Sequence, residues 1–290
     1  MGCGVKPAPL RYHAARDVAE AVALLRDEPD AKLLAGGQSL MPMANFRLLR
    51  PSLLIDINRI DGIGDIVRTP HGLCVGARTR HVAVETSPLV ASMFPVLAHA
   101  MTHVAHPTIR NRGTFGGSLA HADPAAELPM LAVLLDAVLT IRSAGGERRS
   151  SVPDFLVGAL TTSLAPDEML VAIDLPALPD GMGWGFEEMA RRHGDYALAA
   201  VAVLLRRAGD AVAEARIALT GVGETARRVP AAEAALIGAR PDGTALDACV
   251  AAVRASIAPG DDLHASAEYR VHLAGVLTAR ALAAAWARAA

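Results

Sequence analysis

Lysine is almost missing from this 290-residue chain: Lys6 and Lys32 are the only two, so arginine carries nearly all the positive charge. Aromatic residues make up only 3%, and the pairs Arg148-Arg149, Arg191-Arg192, Arg206-Arg207 and Arg227-Arg228 are scattered with few rings beside them. With a net charge of −2, there is no basic stripe with stacking platforms, and a nucleic-acid groove is not expected. No uninterrupted apolar run reaches the roughly 18 residues of a membrane-spanning helix. The opening MGCGVKPAPLRYH lacks a signal-peptide core, and no Ser or Thr follows MGC in the place an acylation motif requires. The expected location is therefore the cytoplasm.

Cysteine is scarce as well. Cys3, Cys74 and Cys249 lie far apart, and no C-x-x-C occurs. An iron–sulfur cluster or a structural zinc site built from this chain alone is not expected. Any redox chemistry has to be carried by an organic cofactor.

What the chain has is apolar bulk. Hydrophobic residues reach 52%, mostly Ala, Val and Leu, which is enough for an ordered core and for two domains. The spacing of DVAEAVALLRDEPD predicts a helix over 17–30. KLLA, SLLIDIN and LCVGA read as strands, and LVASMFPVLAHAMTHV from Leu89 reads as a helix running through Pro95. Before ELPMLAVLLDA, Asp123 is the expected N-cap and Pro124 the first helical residue. VLTIRSAGGERRSSV predicts a hairpin at Gly145-Gly146, and MLVAIDLP predicts a strand ending at Pro176. PALPDGMG is the expected domain boundary. Beyond it, two strands around Ala208-Gly209-Asp210 and Ala-rich helices suggest a small antiparallel sheet with helices on one face.

Two glycine-rich stretches stand out. AGGQS (35–39) follows an apolar strand, and RNRGTFGGS (110–118) leads to a second expected helix start. Consecutive glycines let a backbone approach a ligand closely, and successive N–H groups at a helix start form an anion-binding nest. Gln38, Ser39, Thr114 and Ser118 add neutral donors. Neither stretch carries a P-loop lysine or fits G-x-G-x-x-G. Two nests suit a ligand with a diphosphate and a long body, such as a dinucleotide; the plain alternative for each is a tight turn.

AGGQSLMP together with HPTIRNRGTFGGSLAHADPAAELP resembles the flavoprotein (medium) subunit of molybdenum hydroxylases, the carbon monoxide dehydrogenase group in particular. The resemblance continues through FEEMARRHGDYALAAVAV and LTGVGETARRVPAAEAAL to DDLHASAEYRVHLAGVLTARAL, covering nearly the whole chain in order. It implies an α+β fold: a flavin domain of the vanillyl-alcohol oxidase/MurB-like type over 1–176, in subdomains of about 1–58 and 59–176. A C-terminal domain over 177–290 would hold a three-stranded antiparallel sheet with helices.

The cofactor implied is non-covalent FAD. By residue-for-residue match its contacts would be Ala35, Gly36, Gly37, Gln38 and Ser39 in one stretch, and Thr114, Phe115, Gly116, Gly117 and Ser118 in the other. Thr108 and Asp123 fall where further contacts are usual in the family, and Tyr196 where a ring lies against the isoalloxazine in some relatives. Gln38 replaces a frequent His, and Phe115 a frequent Ile. No catalytic base is required of this chain. Molybdopterin would sit on a large partner subunit and iron–sulfur clusters on a small one, in a dimer of heterotrimers. FAD would pass electrons to an external quinone, NAD or oxygen, and any membrane association would be made through the complex. The competing readings are a self-contained flavin oxidoreductase and a non-catalytic assembly subunit.

Three other groups have plainer readings. His99, His103 and His106 share i, i+4, i+7 spacing but have no carboxylate companion, so no metal site is expected. His121 and Asp123 are expected to cap and to touch the cofactor rather than to act as an acid–base pair. Arg191 and Arg192 face either a solvated surface or a partner.

Overall fold

The computed structural model describes residues 6–290; Cys3 and the MGC opening lie outside them. The first unit comprises β1 (Arg11–Ala14), α1 (Val18–Asp27), β2 (Lys32–Leu34), α2 (Leu40–Asn45) and β3 (Leu53–Asp56). Its sheet is parallel in the order β1-β3-β2. The helix expected over 17–30 is shorter, because Asp17 caps its start by accepting from the Glu20 N–H and the chain turns before Pro29. Ala21, Val22 and Leu25 bury its apolar face against Leu53, Ile55 and Ile57.

The second unit runs β4 (Ile66–Thr69), β5 (Gly72–Gly76), α3 (His81–Thr86), α4 (Pro88–Met93), α5 (Pro95–Ala100), α6 (Pro107–Arg110), α7 (Phe115–His121) and α8 (Glu127–Leu134). It then adds β6 (Val138–Ser143), β7 (Gly146–Ser151), α9 (Val152–Phe155), β8 (Leu156–Gly158), β9 (Thr161–Thr162) and β10 (Met169–Pro176). The order β4-β5-β10-β6-β7 is antiparallel throughout. The hairpin at Gly145-Gly146 and the strand ending at Pro176 are where the sequence puts them.

Two helix expectations fail here. The stretch from Leu89 breaks at Phe94 (φ −139°, ψ 62°), because the residue before a proline is forced out of the helical region. His99 therefore lies in α5, His103 in a turn and His106 at the cap of α6, on no common helical face. The helix after Asp123 begins only at Glu127, and Asp123 instead closes a turn by accepting from the Ala125 N–H at 2.9 Å.

The third unit holds β11 (Gly183–Met189), β12 (Ala199–Ala208), β13 (Ala211–Thr220), β14 (Arg227–Arg228), α10 (Pro230–Ala234), α11 (Gly243–Ala255) and α12 (Ala267–Arg288). The sheet has four strands where three were expected, since the two-residue β14 adds an edge to β13. Gly183 and Gly185 explain the alanine content of α12: a Cβ on either would come within 2.1 Å of the Ala285 or Ala281 carbonyl oxygen. The helix thus rests directly on strand backbone.

All eight residues of α8 are buried. A helix that is apolar all round belongs between layers, and α8 packs with Leu139, Ile141 and Ile173 of the middle sheet and with Ala200, Ala202 and Leu204 of β12. It also draws Glu127, in its first turn, into the interior.

Candidate dinucleotide site

A cavity of about 740 Å³ lies where the glycine stretches meet, lined by Ala35, Gly36, Gly37, Gln38, Ser39, Thr114, Gly116, Gly117, Ser118, Asp123 and Tyr196. Thr108 and Phe115 are not on its wall. Thr108 is exposed on α6, and Phe115 is fully buried in the core beneath α7. The resemblance assigns both to cofactor contact; outside this wall, Thr108 is exposed and the Phe115 side chain belongs to the core.

The stretches are not equivalent. In the first, Gly37 has φ +71°, a left-handed conformation that favours glycine. The backbone N–H groups of Gly36, Gly37, Gln38 and Ser39 find no acceptor among the described residues. Four successive free donors before α2 make the nest the sequence suggested. The Gln38 amide steadies the turn by donating to the Gly36 carbonyl at 3.0 Å.

The second stretch is already the first turn of α7, and its donors are spent. Phe115 N–H donates to Thr79 O at 3.0 Å, Gly116 N–H to Ala77 O at 2.8 Å and Ser118 N–H to Thr114 O at 3.0 Å. Gly117 N–H goes to the Thr114 hydroxyl at 3.1 Å, so Thr114 is an N-cap. Here the glycines serve close packing. A Cβ on Gly116 would sit 2.5 Å from Ala77 Cβ, and one on Gly117 2.5 Å from Thr114 Oγ1. The expectation of a second free nest is therefore corrected: this stretch presents a smooth wall and hydroxyls.

Residues outside both glycine motifs hold the stretches together. The Asn58 amide donates to Ala35 O at 2.9 Å, and its Oδ1 accepts from Arg80. Arg80 also donates to the Arg112 carbonyl. Asp56 receives Tyr12 OH at 2.6 Å and the Asn58 N–H at 2.8 Å. The available signal was a polar Asp-Ile-Asn end on an otherwise apolar strand. His81, also on the wall, is pushed down to about 4 by burial, with Arg110 and Arg80 adding to the effect. It is neutral near pH 7.

The other end of the cavity is acidic. Glu127 is on the wall, and burial pushes its carboxyl up to about 7, helped by the Asp123 charge. Glu188 of β11 is pushed up to about 8 by burial and then by Glu127. Burial, with Asp123 and Glu127, raises the Tyr196 phenol. As a whole residue Tyr196 is nonetheless 63% exposed, so its ring is not part of the core.

The segment from Gly194 to Tyr196 separates this cavity from a second of about 760 Å³, lined by His106, Arg191, Asp261, Asp262, His264 and Arg270 among others. Gly194 has φ +86° and lies so near His106 that a Cβ would come within 2.8 Å of the ring. Arg191 donates to the His264 carbonyl, and Arg192 is exposed.

Residues 8–178 match the family described as the FAD binding domain in molybdopterin dehydrogenase, and residues 184–285 match the CO dehydrogenase flavoprotein C-terminal domain. The chain is 43% identical to subunit alpha of the 6-hydroxypseudooxynicotine dehydrogenase complex of Paenarthrobacter nicotinovorans, covering 98% of this chain and 97% of that one. Its fold matches a chain of carbon monoxide dehydrogenase from Hydrogenophaga pseudoflava, in a form lacking the molybdenum–pyranopterin moiety, with TM-score 0.96, 42% identity and coverage of 98% and 99%. It also matches quinoline 2-oxidoreductase from Pseudomonas putida 86 with TM-score 0.94, 39% identity and coverage of 98% and 99%.

Proposed function

Since this chain belongs to the FAD-binding medium subunits of molybdenum hydroxylases, we propose that it is the electron-transfer flavoprotein of a multi-subunit dehydrogenase. A large subunit with molybdopterin and a small subunit with iron–sulfur clusters complete the complex, two trimers pairing in the assembly. Electrons leave the small subunit's clusters, pass through FAD held by this chain, and reach an external quinone, NAD or oxygen. The substrate is selected on the large subunit, because relatives named for carbon monoxide, quinoline and 6-hydroxypseudooxynicotine share this architecture. No helix of the described residues is long and apolar enough to cross a membrane, and the complex works in the cytoplasm. The chain divides at 176/177, with subdomains meeting near residue 58.

The observation that carries this reading is the cavity wall made by both glycine stretches, one of them offering four N–H donors with no acceptor among the described residues. That donor set fits a diphosphate. Gly36, Gly37, Gln38 and Ser39 hold its charge. Thr114, Gly116, Gly117 and Ser118 form the close wall beside it, and Asp123 and Tyr196 flank the far end. The flavin supplies the redox chemistry, and this chain's residues bind, orient and desolvate it.

The purified full chain, with its partner subunits, is expected to carry stoichiometric FAD by absorption and by chromatography of what denaturation releases. Gly37→Asp, which puts a side chain at φ +71° and a carboxylate in the nest, is expected to abolish it. A colourless complex that takes up no added FAD would sink the assignment.

A further inference from the structure

Three histidines that the binding argument leaves unused form one ring cluster beside the wall between the two cavities. The ring centroid of His103, in the turn 101–106, lies 5.9 Å from that of His193, with the planes 29° apart, and 5.5 Å from that of His99. Phe186 of β11 closes the cluster at 4.9 Å from His103. Trp184 lies 5.2 Å from His99, and the Arg288 guanidinium sits over the Trp184 ring at 4.0 Å. Offset ring pairs at such spacings attract one another. Among the described residues no group of three His, Cys, Asp or Glu is placed to hold a metal ion.

The two sides of the cluster are anchored unequally. The turn is a fixed post: buried Arg110, paired with Glu85 at 2.8 Å, donates to the Val104 and Ala105 carbonyls at 3.1 and 3.0 Å. The 191–196 segment has few such ties. Among the described residues its one backbone hydrogen bond is internal, Asp195 N–H to Arg192 O at 3.1 Å, and its one side-chain hydrogen bond runs from Arg191 to the His264 carbonyl. It meets the post by packing alone. His193 stacks on His103, and a Cβ on Gly194 would come within 2.8 Å of the His106 ring and 2.9 Å of the Ala105 carbonyl oxygen. Tyr196, two residues on, belongs to the wall of both cavities.

We propose that the neutral His103–His193 stack latches the 191–196 segment to the 101–106 turn and keeps the two cavities apart, and that protonation of the stack releases the segment and joins them. The step is proton uptake alone: one proton binds a ring nitrogen of each histidine, and two cations then face each other across the stack. The charged groups around it are His99 from α5, Glu187 from β11 and Arg288 from α12, with Arg110 of α6 behind the turn and held by Glu85. Arg191, Arg192 and Asp195 lie on the segment itself. Burial, then His99 and His193, hold the His103 imidazole below the ordinary histidine range, and burial with Arg288 lowers His99 against the pull of Glu187. The latched form therefore favours neutral rings. It is fully present above about pH 6.5, the ordinary histidine value, and is lost as pH falls below it. Released, the segment lets a molecule in the second cavity reach what the first holds. That consequence rests on the flavoprotein reading; the latch does not.

Electron cryo-microscopy of the flavin-loaded complex at about pH 8 and about pH 5.5 tests the latch, with imidazole C–H exchange read for each histidine by mass spectrometry. In the wild type the segment is expected to sit on the turn at the higher pH and to be displaced at the lower, where bound flavin should leave roughly fivefold faster or more. His103→Phe keeps a ring without a titratable nitrogen, and its segment should stay seated at both values. His193→Ala changes an exposed residue, so the fold should survive; the segment should be unseated already at the higher pH, and His103 should titrate closer to the ordinary range. A wild-type segment seated at both values, or a pH response unchanged in His103→Phe, would overturn the latch. A wild-type complex without flavin whose segment still moves with pH would overturn the flavoprotein reading and support the latch.

Discussion

Gly36 lies against the carbonyl of Arg112 so closely that a Cβ would come within 2.4 Å of that oxygen and 2.9 Å of Gly113 Cα. The two glycine stretches thus touch through backbone, and Arg80 clamps the junction by donating to the same Arg112 carbonyl. The cavity wall depends on this contact. Neither stretch could be pushed away without opening the floor on which the diphosphate would rest.

Gly36→Ala is therefore expected to act by overpacking rather than by strain. Backbone cannot yield as a side-chain tip can, so the cost should be about 1–3 kcal/mol, with FAD affinity falling at least tenfold. Urea denaturation and flavin titration of the same preparation check both. An alanine variant with wild-type affinity would show that the stretches move independently.

Asn58 bridges the first stretch to Arg80. Asn58→Ala leaves the Ala35 carbonyl without that donor and one Arg80 N–H without its acceptor, the other still meeting the Arg112 carbonyl, at a cost of about 1–3 kcal/mol for half-buried groups. Weaker FAD binding should accompany the loss of stability. Asn58→Asp should not rescue, because a carboxylate cannot donate to Ala35 O.

Glu127 makes stability depend on pH. Its ordinary value of 4.5 rises to about 7 on burial, so the folded protein binds this proton more tightly than the unfolded chain. The associated stability is fully present below about pH 4.5 and is lost as pH rises through about 7, a difference on the order of 3 kcal/mol. Glu127→Gln should flatten this slope. Thermal melts of the flavin-free protein at about pH 5 and pH 8 should show the variant gaining on the wild type only at the higher pH.

Tyr196 is more than half exposed at the boundary between the two cavities. Tyr196→Ala should change stability by no more than about 0.5 kcal/mol, as for other surface substitutions. Its effect should appear in the absorption and fluorescence of bound flavin. A large drop in melting temperature with an unaltered flavin spectrum would make Tyr196 a packing residue.

Much was readable without coordinates because it is local. Strand Met169–Pro176, the hairpin at Gly145-Gly146 and the hairpin around Gly209 follow from alternation and turn chemistry within a few residues. AGGQS and TFGGS stand out because their glycines meet steric demands that almost no other residue satisfies, and with their flanking residues they carry the resemblance to the family. Local pattern misled where a single neighbour decides. Pro95 splits an apolar helical run, and Asp123 spends its side chain on a turn instead of a cap.

What the sequence by itself determined was the two stretches that build a binding wall, written in short-range spacing and residue size, and, through its resemblance to a known family along nearly the whole chain, the α+β class and the family. Only the tertiary structure decided that the first stretch keeps its N–H donors while the second has spent them on Ala77, Thr79 and Thr114. It also decided that Asn58 and Arg80 lock the two together, and that Glu127 lies buried at the cavity wall. A hydrogen-bond donor is free or spent, and an acid charged or neutral, according to what packs against it from distant parts of the chain.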